Sequence, residues 1–127
     1  MADTVLDASA VLAIAFNEPG AASVIAHLSS ASISAVNLSE AGAKLVDKGF
    51  TPEEAFRWLD ALRLEVVDFD RDQAASAAAL RRATKARRLS FADRACIALA
   101  AARNTTTITT DRAWAELDLP CSVELIR

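Results

Sequence analysis

At 127 residues, with 53% hydrophobic and 24% charged side chains, the chain can bury one substantial core but is too short for two, and no stretch has a disordered composition. A formal charge of −3 argues against a general nucleic-acid binder, no apolar run approaches a membrane span, and Asp3 and Asp7 interrupt any signal-peptide pattern. One domain over residues 1–127, working in the cytoplasm, is therefore expected. Cys96 and Cys121 form neither a CxxC nor a zinc spacing, and the single histidine, His27, cannot build a triad or a zinc site.

In chain order, Val5 and Leu6 open a short apolar strand, followed by a helix with Ala8, Val11, Leu12, Ala15 and Phe16 on one face. Asn17-Glu18-Pro19-Gly20 ends it, and a second helix covers about 21–28. ASISAV (31–36) reads as the second strand, after which Asn37 caps a helix carrying Leu38, Ala41, Leu45 and Val46 and closed by Gly49. Thr51-Pro52-Glu53-Glu54 combines a cap, a proline at the first position and a Glu for a capping box, and starts a helix with Ala55, Trp58, Leu59 and Leu62 as its stripe. LEVVDF (64–69) is the third strand and an Ala- and Arg-rich helix runs over about 70–87. Ser90 caps a helix over about 91–103, TTTITT (105–110) is a β-branched fourth strand, a short helix covers about 111–117, and SVELI is the last strand. Strands alternating with helices predict a three-layer α/β/α sandwich around a mainly parallel sheet of about five strands.

Four carboxylates stand at the junctions: Asp7 in TVLDASA, Glu40 in ISAVNLSE, Asp93 in LSFADRACIALA and Asp111 in TITTDRAW. Each has an ordinary explanation. Asp7 and Asp111 fit helix N-caps, while Glu40 lies three residues after Asn37 and Asp93 three after Ser90, as in capping boxes. As a set they say more, because strand-to-helix junctions of a parallel sheet share one edge. Carboxylates about 6 Å apart repel by roughly 3 kcal/mol per pair at an effective dielectric near 20. Ser, Thr or Asn would cap without that cost, and a cation removes it. Oxygen-only ligation favours Mg²⁺ or Mn²⁺ over zinc or copper.

The strings VLDASAVLAIAFNEPGA, ISAVNLSEAGAKL, GFTPEEA, LSFADRACIALAAR, TITTDRAW and SVELIR, in this order along nearly the whole chain, resemble the PIN-domain ribonuclease toxins of VapBC-type bacterial toxin–antitoxin pairs. The resemblance implies a PIN-like sandwich and a Mg²⁺- or Mn²⁺-dependent endoribonuclease in the bacterial cytoplasm, cutting structured RNA such as transfer or ribosomal RNA to 5′-phosphate and 3′-hydroxyl ends. Residue by residue, Asp7, Glu40, Asp93 and Asp111 fall on the family's catalytic and metal-binding acids. Ser9 and Thr110 match positions that support the site or a bound water. The resemblance further implies homodimers and a VapB-type antitoxin that covers the groove, in a higher assembly. Some relatives carry a fifth acid after the fourth; here that stretch offers Trp114 and Glu116, which leaves a fifth ligand open.

From Arg81 to Arg88, five of eight residues are basic (Arg81, Arg82, Lys85, Arg87, Arg88), with no acid between Asp72 and Asp93. This segment reads either as a solvated helix end or, with Arg94 and Arg112, as an RNA-backbone track. Two other functions compete with the nuclease. A receiver-like phosphoacceptor would use Asp68 or Asp70, but the pattern lacks its acidic pair and late Lys; a HAD-type phosphatase would need an acid where Ser9 stands. A non-catalytic PIN-like interaction module would use apolar faces around Val11, Phe16, Trp58 and Leu62, which equally suit an antitoxin helix or the core.

Overall fold

The computed structural model describes residues 3–127. Five strands form one sheet: β1 (Thr4–Leu6), β2 (Ala31–Ser34), β3 (Glu65–Val67), β4 (Thr106–Thr109) and β5 (Ser122–Leu125). They lie in the order β3-β2-β1-β4-β5 and every neighbouring pair is parallel. The chain steps outward from β1 through β2 to β3, then returns to the other side of β1 for β4 and β5. The order reverses between β1 and β4, and connections leaving those strands diverge and open a crevice at their carboxyl ends.

Seven α-helices cover the sheet: α1 (Ala8–Ala15), α2 (Ala21–His27), α3 (Ala35–Asp47), α4 (Pro52–Ala61), α5 (Arg71–Ala79), α6 (Arg81–Thr84) and α7 (Phe91–Ala102). Alternation along the central strand divides the core between the two faces. Leu6 joins Val11, Val24, Ile33, Leu45, Leu59 and Ile108. Its neighbour Val5 joins Cys96, Ile97, Leu99 and Trp114 on the other side. Burying each large aliphatic side chain stabilises by about 1.5–3 kcal/mol, so β1, β2 and β4 are held from both faces. The expected three-layer sandwich is what forms.

Several local expectations change. β2 ends at Ser34, whose hydroxyl caps α3 by accepting from the Val36 N–H at 3.2 Å. The helix thus begins before Asn37, which lies inside it, fully buried, donating through Nδ2 to the Ala92 carbonyl at 2.9 Å. Glu40 consequently falls in the second turn and closes no capping box. The long helix expected over 70–87 is broken into α5, α6 and a 3₁₀ turn at Lys85–Arg87. The buried Thr84 hydroxyl donates back to the Leu80 carbonyl at 2.9 Å, a bond that bends helices, and Arg88 then takes φ +56°. The short helix expected after Asp111 forms as a 3₁₀ helix, Arg112–Glu116. The Thr51–Glu54 and Ser90–Asp93 capping boxes both form as the sequence indicates.

Candidate active site

Asp7 immediately follows β1 and is 4% exposed. One carboxylate oxygen accepts from the Ala10 N–H (2.9 Å) and the Ser9 hydroxyl (2.7 Å); the other accepts from the Thr109 hydroxyl (2.5 Å). These bonds favour the charged form, yet burial outweighs them, and the carboxyl is pushed up to about 6, with Asp93 adding a smaller repulsion. Thr109 ends β4, the strand beside β1, and its hydroxyl also accepts from the Asp111 N–H at 3.0 Å. A buried Thr therefore ties the first acid to the fourth.

Asp93 is the third residue of α7, its Oδ2 accepting from the Ser90 N–H at 2.9 Å. Burial raises its pKa against the lowering by Ser90, and Asp111 raises it further. Glu40 is also raised, first by burial, then by Asp93, with Lys44 opposing. Asp93 thus repels, or is repelled by, each of the other three acids. Asp111 caps the following 3₁₀ helix through its bond from the Ala113 N–H at 3.0 Å. Asp7 and Asp111 are thus helix caps as well as site residues.

All four line a single cleft of about 280 Å³ with Ser9, Leu12, Lys44 and Thr110. Larger hollows exist, one of about 580 Å³ at the opposite edge of the sheet by Asp3 and Arg103, but none gathers acids in this way. Among the described residues no three His, Cys, Asp or Glu side chains are close enough to enclose an ion. An open set still suits Mg²⁺ or Mn²⁺. Mg²⁺ keeps several waters and needs only one or two carboxylates directly, the donors are all oxygen, and burial raises the pKa values of Asp7, Glu40 and Asp93, so a cation there would favour their charged forms.

Of the hydroxyls predicted to support the site, Ser9 does so. Its oxygen accepts from the Thr110 N–H at 3.0 Å, and Thr110 lines the cleft as expected, while Thr109, which the sequence did not single out, donates to Asp7. The TTTITT run leaves strand register unmarked; an inward position on β4 is the signal that singles out residue 109. Lys44 was also missed. It lies one helical turn after Glu40 on the same face.

The basic residues scatter. Arg94 Nη1 donates to the Ala77 carbonyl at 3.2 Å, strapping α7 to α5. Arg87 pairs with Glu116 at 2.8 Å, which occupies that acid outside the cleft, and Trp114 is fully buried in the core. Arg81, Arg82 and Lys85 line a separate hollow with Ala78 and Ala79, while Arg88 and Arg112 are exposed. Asp70 caps α5 and, like Asp68, lies outside the cleft, after the edge strand β3. Val11 is core, Trp58 and Leu62 pack against it, and Phe16 lines a groove beside the cleft.

The PIN domain family model matches residues 4–119. No curated protein sequence is significantly similar to the chain. Among solved structures, a chain of a VapBC complex from Salmonella typhimurium bound to DNA superposes with a TM-score of 0.77 at 21% identity, covering 100% of both chains. A chain of VapBC-5 from Mycobacterium tuberculosis gives 0.66 at 27% identity, covering 100% of this chain and 99% of the other. FitAcB from Neisseria gonorrhoeae gives 0.67 at 18%, covering 94% and 95%. With the family match spanning four of the five strands, the crevice and all four acids, this chain belongs to the PIN-domain family.

Proposed function

We propose that the protein is the toxin of a VapBC-type pair, a Mg²⁺- or Mn²⁺-dependent endoribonuclease held inactive by a VapB-type antitoxin. One observation carries the reading: four carboxylates from distant parts of the chain line one oxygen-only cleft at the reversal of strand order. Family membership and the likeness to chains of VapBC complexes support it.

In this reading Asp7, Glu40, Asp93 and Asp111 hold one or two ions, with Asp7 fixed on the central strand as the principal ligand. A bound ion supplies water activation near neutral pH and neutralises charge building on the phosphate. Water adds to phosphorus, the bond to the 3′-oxygen breaks, and a proton on that oxygen leaves 3′-hydroxyl and 5′-phosphate ends. Ser9 and Thr109 keep the Asp7 carboxylate oriented, and Ser90 does the same for Asp93. The exposed cations Arg81, Arg82, Lys85, Arg88 and Arg112 hold RNA backbone away from the reacting bond, a positioning role. Transfer or ribosomal RNA is the substrate class, and the active form is a homodimer in the bacterial cytoplasm.

The test is cleavage of total RNA by the wild type, Asp7→Asn and Asp93→Asn, each with Mg²⁺ and with EDTA. Cleavage is expected from the wild type in Mg²⁺ alone. Activity that survives both substitutions and the chelator would place the chemistry elsewhere.

A further inference from the structure

Lys44 is the one cation lining the four-acid cleft among the described residues. It projects from α3 one turn beyond Glu40 and forms no ion pair within 4 Å among those residues. It also lines the adjoining groove, which shares Ser9, Leu12 and Lys44 with the cleft and beyond it carries Phe16, Lys48 and the acids Glu18 and Asp47. An ammonium placed only to balance the acids would close onto Glu40. This one stands exposed at the mouth, where the cleft opens into the groove.

A phosphodiester approaching this cleft meets four carboxylates, and even a bound divalent ion offsets only part of their charge. The arginines read from the sequence as an RNA track do not help at this point. Arg87 is held by Glu116, Arg94 by the Ala77 carbonyl, and Arg81, Arg82 and Lys85 face a different hollow. We infer that Lys44 forms a phosphate subsite, in which its ammonium receives the backbone phosphate adjoining the scissile one at the mouth of the cleft. This rests on the nuclease reading. Lys44 is a substrate-positioning residue here, and it takes no part in moving protons.

Lys44→Met and Lys44→Arg are compared with Lys48→Met, which removes the same charge at the C-cap of α3, outside the cleft. Binding of unfractionated transfer RNA is measured with Ca²⁺ in place of Mg²⁺ over a range of salt, Mn²⁺ binding to RNA-free protein by electron paramagnetic resonance, and cleavage kinetics in Mg²⁺. Lys44→Met is expected to weaken RNA binding on the order of tenfold and flatten the log–log salt slope by about 0.7. KM should rise with kcat nearly unchanged, and Mn²⁺ binding should not weaken. Lys44→Arg should retain most of the affinity, and Lys48→Met should stay within about twofold of the wild type. Tighter Mn²⁺ binding with RNA affinity unchanged would reduce Lys44 to a counter-charge and overturn the proposal. An equal loss in Lys48→Met would also overturn it, by showing a diffuse field. A wild type that binds RNA but cleaves none refutes the nuclease reading while the binding arm still decides Lys44; one that binds no RNA refutes both.

Discussion

Asp7 predicts that the metal-free protein is destabilised by its own site. Folding moves this carboxyl from an ordinary 3.8 to about 6, chiefly by burial. At neutral pH the charged form is therefore disfavoured by a little over two decades of equilibrium, or about 3 kcal/mol. The sign follows from linkage. Because the folded pKa lies above the unfolded one, the contribution favours folding fully below about 4 and is lost as pH rises through about 6. Asp7→Asn keeps an oxygen that accepts from the Ala10 N–H and the Ser9 hydroxyl, and the Thr109 hydroxyl can turn to accept from the amide N–H. In EDTA at pH 7.5 the variant should be up to about 3 kcal/mol more stable than the wild type, a Tm gain on the order of 10 °C for a chain of this length. The gain should vanish near pH 4. Mg²⁺ should raise the wild-type Tm and leave the variant nearly where it was. Calorimetric melts across pH, with EDTA and with Mg²⁺, read all of this. A variant no more stable than the wild type at pH 7.5 in EDTA would refute the claim of an unrelieved buried charge.

Thr109→Val removes a donor to Asp7 and the acceptor for the Asp111 N–H, so the acid limb of Mn²⁺ binding should move up by about one pH unit and stability should fall by about 1–2 kcal/mol, read from pH titrations and melts. Gly20 has φ +95°, and a Cβ there would lie 2.4 Å from the Ile126 carbonyl oxygen, so Gly20→Ala should cost roughly 2–4 kcal/mol in denaturant unfolding without changing residual metal affinity. The Arg81→Ala/Arg82→Ala pair should lower RNA affinity mainly at low salt and flatten the salt slope by about 1.4 while kcat holds; an unchanged slope removes these residues from any RNA path.

The fold was largely legible because its signals are local. Apolar runs marked β1 and β2, the Thr51 and Ser90 boxes announced α4 and α7, and the four acids could be placed at one edge from topology alone. What the sequence hid depends on register and long-range contact. Asn37 is a good cap by type, but its amide is claimed by the Ala92 carbonyl 55 residues away, and Ser34 takes the cap. The Arg-rich stretch is helical by propensity throughout, and only the Thr84 back-bond to Leu80 shows where it breaks. With it went the expectation of one continuous basic track, since Arg87 and Arg94 turn to partners that sequence cannot pair. Singling out Thr109 needed the facing of a strand whose residues are nearly all threonine.

The double employment of Asp7 and Asp111 as helix caps has an evolutionary corollary. Asparagine terminates a helix as well as aspartate does, and the two codons differ by one base. On the proposed nuclease reading, a variant without activity but with its whole architecture would thus lie a single mutational step away.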